Sequence, residues 1–99
     1  MKFGLSPEQY QFIQNKVVSE LEKYHAKLWC FGSRAREDHQ EYSDLDLLIE
    51  SNHPAIRKAI GKISEILEES NFPFKVDLVL ESDIAHSYLE NIQGDKKPF

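Results

Sequence analysis

Two short apolar stretches carry aspartates in a phase that fixes which way each stretch must face. Side chains alternate along an extended strand, so residues two apart share a side. In residues 44–50, DLDLLIE, Asp44, Asp46, Leu48 and Glu50 fall on one side and Leu45, Leu47 and Ile49 on the other. In residues 75–81, KVDLVLE, Asp77, Val79 and Glu81 oppose Val76, Leu78 and Leu80. The wholly apolar sides must turn toward covering helices. That places all three aspartates on the opposite side of one sheet. If the two strands are neighbours, roughly 4.8 Å apart, Asp77 lies within reach of Asp44 and Asp46. Upstream, a third apolar stretch ends at Gly32-Ser33, ten residues before Asp44, so the whole reads G-S-x10-D-x-D.

The remaining elements follow from periodicity and caps. Ser6, Pro7 and Gln9 form a capping-box start, with Leu5 and Tyr10 placed as a hydrophobic staple. Tyr10, Ile13, Val17, Leu21 and Tyr24 then recur at helical spacing until His25-Ala26. Residues 28–31, LWCF, suit a buried strand. Gly32 ends it, Ser33 can cap a brief helical turn, and residues 37–42 form an exposed loop. Pro54 opens a helix with an apolar stripe of Ile56, Ile60, Ile63 and Leu67, stopped at Asn71 to Pro73. Ser82 is placed to cap a last helix bearing Ala85, Tyr88, Leu89 and Ile92, which Gly94 ends before a short polar tail. The expectation is an α/β (α+β) fold: a small mixed sheet of about three strands with helices packed mainly on one face. The other face of the sheet is then free for a site.

Three clustered carboxylates repel unless a cation joins them. All-oxygen donors select Mg²⁺ or Mn²⁺ over zinc. Two such ions, roughly 4 Å apart, stabilise the attacking and leaving oxygens of an in-line displacement. Gly32 lets backbone approach phosphates, and Ser33 and its neighbouring amides can donate to them. Each feature alone has an ordinary explanation: a strand-to-helix cap, a solvated strand face, an edge-strand aspartate. The conjunction, in this order and phase, selects nucleotidyl transfer. Arg34 and Arg36 read as surface charges, Glu50 and Glu81 as solvated strand ends, and Trp29, Cys30 and Phe31 as core. The four histidines share no metal-ligand spacing.

Composition narrows the class further. Ninety-nine residues suffice for one domain, residues 1–99, with one core and one shallow site. A net charge of −5 argues against general nucleic-acid binding. One cysteine excludes an internal disulfide and fits a reducing, cytoplasmic setting. No apolar run approaches the ~20 residues that a membrane span needs.

GSRAR, then YSDLDLLIE, then KVDLVLE, resembles the minimal nucleotidyltransferases of the DNA polymerase β superfamily, and the order of elements agrees over nearly the whole chain. The resemblance implies that Gly32 and Ser33 hold a nucleoside triphosphate, ATP or another. It also implies that Asp44 and Asp46 bind Mg²⁺, two ions being expected. Asp77 would complete the metal site and help to activate the acceptor hydroxyl. The implied reaction moves NMP, expected to be AMP, onto a hydroxyl. Many small relatives are antitoxins that adenylylate a tyrosine of an all-α HEPN toxin, so a HEPN-type partner is expected here. Larger relatives carry extra domains for base and acceptor. Tyr88, Phe99 or the first helix are the candidate docking surfaces for a helical partner. One departure is Glu37, where the family commonly has glycine; an acid there bears on triphosphate binding. Two alternatives accompany this reading: an antitoxin acting by contact with vestigial chemistry, and a subunit modifying a small-molecule hydroxyl. A haloacid-dehalogenase-type phosphatase is set aside, because its D-x-D follows its strand whereas this pair begins one.

Overall fold

The computed structural model describes residues 2–99. Its first helical run begins as the capping rules require. Ser6 Oγ accepts from the Gln9 amide at 3.1 Å, and Gln9 Oε1 accepts from the Ser6 amide at 2.9 Å. The run comprises α1 (Pro7–Ile13), a π turn (Gln14–Val18) and α2 (Ser19–Glu22). Strand β1 (Lys27–Phe31) leads through Gly32 into the single-turn α3 (Ser33–Arg36). Then come β2 (Leu45–Glu50), α4 (Ile56–Glu69), β3 (Val76–Leu80), α5 (His86–Asp95) and β4 (Lys97–Pro98).

The sheet order is β3-β2-β1-β4. β1 is antiparallel to both β2 and β4, while β2 and β3, joined across α4, run parallel. This is a mixed α+β fold with four strands where three were expected. The fourth is the supposed polar tail: Lys97 pairs with Cys30 and Pro98 with Trp29. Two residues carry no detectable alternation, and proline is tolerated here because the strand lies on an edge. Phe99 beyond it is not an exposed docking residue. Its ring stacks on Phe3 and Tyr10, and its carbonyl accepts from the Tyr10 hydroxyl at 3.1 Å.

The strands sort their side chains as the alternation requires. Leu28, Cys30, Leu45, Leu47, Ile49, Val76, Leu78 and Leu80 join the main core with Ile13, Val17 and Leu21 of the first helical run and Ile56, Ile63 and Leu67 of α4. Burial pushes the Cys30 thiol up to about 12, in keeping with an inert core cysteine. The opposite face is not free along its length. Trp29, Phe31, Leu48 and Val79 form a second apolar cluster with Ile84 and Ile92, so α5 closes over the middle of that face. A single buried residue of α5, Ile92, does this, whereas Tyr88, expected in the same apolar stripe, stays exposed. Ser82 does not cap α5; it sits in a 3-10 turn (Glu81–Asp83), and Gly94 lies inside the helix.

Both ends of that second face keep their carboxylates. At the far end, Glu50 and Glu81 meet rather than pointing separately into solvent. The Glu81 carboxyl is raised, first by a hydrogen bond with Glu50, and Lys96 Nζ stands 3.7 Å from Glu50. At the near end stand the aspartates.

Candidate active site

The parallel register sets Asp46 directly beside Asp77, and the antiparallel register sets Phe31 beside Asp46. The turn after Phe31 therefore delivers Gly32 against the Asp46 carboxylate. Gly32 has φ +77° and ψ −158°, a region open essentially to glycine alone. A Cβ there would stand 2.5 Å from Asp46 Oδ2. Both constraints demand glycine, for backbone and for space. Gly32→Ala is expected to cost about 1–3 kcal/mol and to displace the Asp46 carboxylate. Urea denaturation, together with transfer activity corrected for the folded fraction, measures both effects.

Asp46 is half-buried and its carboxyl is pushed up to about 6, first by burial, then by the neighbouring Asp77 and Asp44. Asp77 is partly shielded and lies 3.3 Å from Lys75 Nζ. Asp44 is exposed and just precedes β2 instead of opening it; the ladder is carried from Leu45, whose amide donates to the Lys75 carbonyl at 2.9 Å. The structure thus brings Gly32, Asp46 and Asp77 together with Asp44 at their margin. Among the described residues, no three His, Cys, Asp or Glu side chains converge closely enough to form a ready-made ion cage. The donors are all carboxylate oxygens, and Asp46 is raised first by burial and then by the charges of Asp77 and Asp44, with Lys75 opposing. Such a set suits a hard divalent cation.

Ser33 borders the same depression as Gly32 and Asp46, a cavity of about 280 Å³ whose far wall is α5. Sequence reasoning missed that wall. Tyr88 was expected as a docking residue for a partner, and Asn91 and Asp95 gave no signal, because their relevance depends on where Ile92 docks. Arg36 also borders this cavity and is bonded to Asp38 and Asp95, each at 3.1 Å.

Arg34, expected at the surface, is 1% exposed. Its guanidinium donates to the carbonyls of Phe3, Ser43 and Glu41 at 2.9, 3.0 and 3.2 Å and stacks 4.0 Å from the Phe74 ring centre. Glu37 occupies the left-handed region, φ 65° and ψ 24°, as it ends α3. That conformation is the physical reason a glycine belongs there. Its side chain borders a different depression, with Lys2 and Lys97, away from Ser33 and Asp46. Glu37→Gly is expected to stabilise the fold by about 0.5 kcal/mol, strain relief outweighing the added freedom of the unfolded chain. The urea midpoint measures this, and Glu37→Ala should show no such gain.

Comparison with known proteins places the chain in a family. Residues 13–98 match the family model described as a nucleotidyltransferase domain. A relative from Haemophilus influenzae, named a probable protein adenylyltransferase, MntA, is 36% identical over 66 residues. The match covers 67% of this chain but 58% of that protein. A solved structure described as a putative minimal nucleotidyltransferase superposes with TM-score 0.73 at 26% identity, covering 96% of this chain and 97% of that one. A toxin–antitoxin structure with AMP-PNP shares the fold at TM-score 0.66 and 19% identity, covering 86% and 70%. With residues 13–98, most of its length, matching that family model, the chain belongs to the nucleotidyltransferase domain family.

Proposed function

We propose that this chain transfers AMP from ATP to a protein hydroxyl, with Mg²⁺, and that the acceptor is a tyrosine on an all-α, HEPN-type toxin that it neutralises. The observation that carries the chemistry is the juxtaposition of Gly32 with Asp46 and of Asp46 with Asp77. The acceptor class is supported by the adenylyltransferase name of the Haemophilus relative and by the toxin–antitoxin neighbour.

In this reading Asp44, Asp46 and Asp77 hold the metal, which when bound neutralises the phosphate oxygens and polarises the phosphorus. Gly32 leaves room for the triphosphate to approach the backbone, and the Ser33 hydroxyl and turn amides donate to its oxygens. The Asp77 carboxylate takes the proton of the acceptor hydroxyl. The acceptor oxygen bonds to the α-phosphorus as the bond from that phosphorus to the bridging oxygen breaks, and pyrophosphate leaves.

The test supplies ATP labelled at the α- or the γ-phosphate to the protein, Mg²⁺ and host lysate. Label on a protein from α and not from γ supports the reading. Transfer from γ alone would establish phosphotransfer and refute it. Neutralisation of a partner that survives loss of both Asp44 and Asp46 would favour the contact-only antitoxin.

A further inference from the structure

The nucleotide site has a wall that the carboxylate motif does not describe. Ile92 pins α5 to the sheet against Phe31 and Leu48. Residues three or four positions away on a helix share a face. Tyr88, Asn91 and Asp95 are therefore turned toward the cavity whose other side is Gly32, Ser33 and Asp46. The Arg36–Asp95 ion pair, 3.1 Å, fastens the end of α5 to the helical turn that follows Gly32, so the wall is tied to the turn rather than merely near it.

Tyr88 has no packing role to explain it. It is 57% exposed, one of three large hydrophobic side chains so exposed among the described residues. The other two, Tyr42 and Ile66, do not border this cavity. Asn91 is also exposed, and its carboxamide can donate and accept at once, as the edge of a nucleobase requires. At about 280 Å³ the space lies near the lower end of small-molecule pockets. It suits a base and ribose with their phosphates directed to Gly32 and Ser33, and is too small to enclose a whole triphosphate and an acceptor.

We infer that the Tyr88–Asn91 face of α5 recognises the nucleoside: the Tyr88 ring stacks on the base, and Asn91 reads its edge in favour of adenine. A carboxamide matches the neighbouring N6 donor and N7 acceptor of adenine in a two-bond contact, whereas guanine presents two acceptors, O6 and N7, along that same edge. The inference rests on the nucleotidyltransferase reading and assigns base recognition to the domain itself, where separate domains serve the larger relatives.

The experiment measures binding of ATP, GTP and inorganic triphosphate by calorimetry, with Mg²⁺, to the intact chain and to Tyr88→Phe, Tyr88→Ala and Asn91→Ala. Wild type is expected to bind ATP at least tenfold more tightly than triphosphate and more tightly than GTP. Tyr88→Ala should weaken ATP and GTP about tenfold, within the range of base–aromatic stacking, leaving triphosphate unchanged; Tyr88→Phe should retain wild-type affinity. Asn91→Ala should close the gap between ATP and GTP. Both positions are exposed, and the thermal midpoint of each variant checks that it is folded. Equal affinity of wild type for ATP and triphosphate, or an unchanged ATP affinity in Tyr88→Ala, overturns the inference and leaves the transfer chemistry standing. Failure of wild type to bind either ligand overturns both.

Discussion

Asp46→Asn is expected to remove nucleotidyl transfer and, in metal-free buffer, to make the protein more stable. The two effects share one cause. Asp46 is placed where its charge is costly to the fold: burial comes first, with Asp77 and Asp44 adding repulsion, and its carboxyl is raised from 3.8 to about 6. A raised carboxyl binds its proton more tightly folded than unfolded. Its contribution is therefore most favourable below pH 3.8, is lost as pH rises to about 6, and stays lost above that. The full shift corresponds to a ceiling of about 3 kcal/mol. Partial exposure and screening reduce the expected gain to about 1–2 kcal/mol at pH 7–8, or roughly 5–15 °C in Tm for a domain of this size. Asparagine keeps the shape and can donate to Asp77. Losing a metal ligand removes several kcal/mol of charge stabilisation in the transition state, about a thousandfold in rate.

Thermal melts in EDTA from pH 4 to 8, beside α-label transfer with Mg²⁺, test both halves. Wild type and Asp46→Asn should converge in stability near pH 4 and separate above pH 6. An Asp46→Asn protein that is less stable than wild type at pH 8 would show that Asp46 serves the fold, contrary to its assigned role.

The carboxylate arrangement was legible because two rules suffice for it. Alternation fixed the faces of residues 44–50 and 75–81, and pairing of those strands placed Asp46 beside Asp77. The first helical run was legible too, since Ser6, Pro7 and Gln9 state its start locally. What escaped were features that depend on contacts distant in sequence. The docking of α5 hangs on Ile92 meeting Phe31 and Leu48, and its cavity wall follows from that contact. Strand β4 is too short for periodicity and is held by an edge and by Phe99 in the grip of Phe3 and Tyr10. Glu50 and Glu81 looked solvated because their mutual approach requires the β2–β3 register beyond the last apolar residues. Glu37 was recognisable as a departure from glycine, but its left-handed backbone, which gives that departure its physical meaning, was not.

Arg34 is the sharpest of these cases, and Arg34→Met is expected to have the largest effect on stability. The side chain lies in a charged tetrapeptide, SRAR, that gives no hint of burial. It holds three backbone carbonyls from two separate segments, Phe3 near the chain start and Glu41 and Ser43 just ahead of Asp44. Burial lowers the Arg34 pKa, but the guanidinium keeps its charge, so what secures it is this set of acceptors and the face of Phe74. Methionine fills much of the volume and satisfies none of the carbonyls. The expected loss is about 3–5 kcal/mol, a large share of the ~5–15 kcal/mol that holds a typical domain together. Lysine retains the charge but not the planar fork or the stacking, and should recover less than half. Because Ser43 adjoins Asp44, the 37–44 loop should loosen first: amide exchange there should quicken more than in β1 or β2 in the lysine variant. A methionine variant within about 1 kcal/mol of wild type by urea denaturation would mean that the three carbonyls find other partners. Arg34 would then be a passenger in the fold rather than the clamp that seats the Asp44 end of the site.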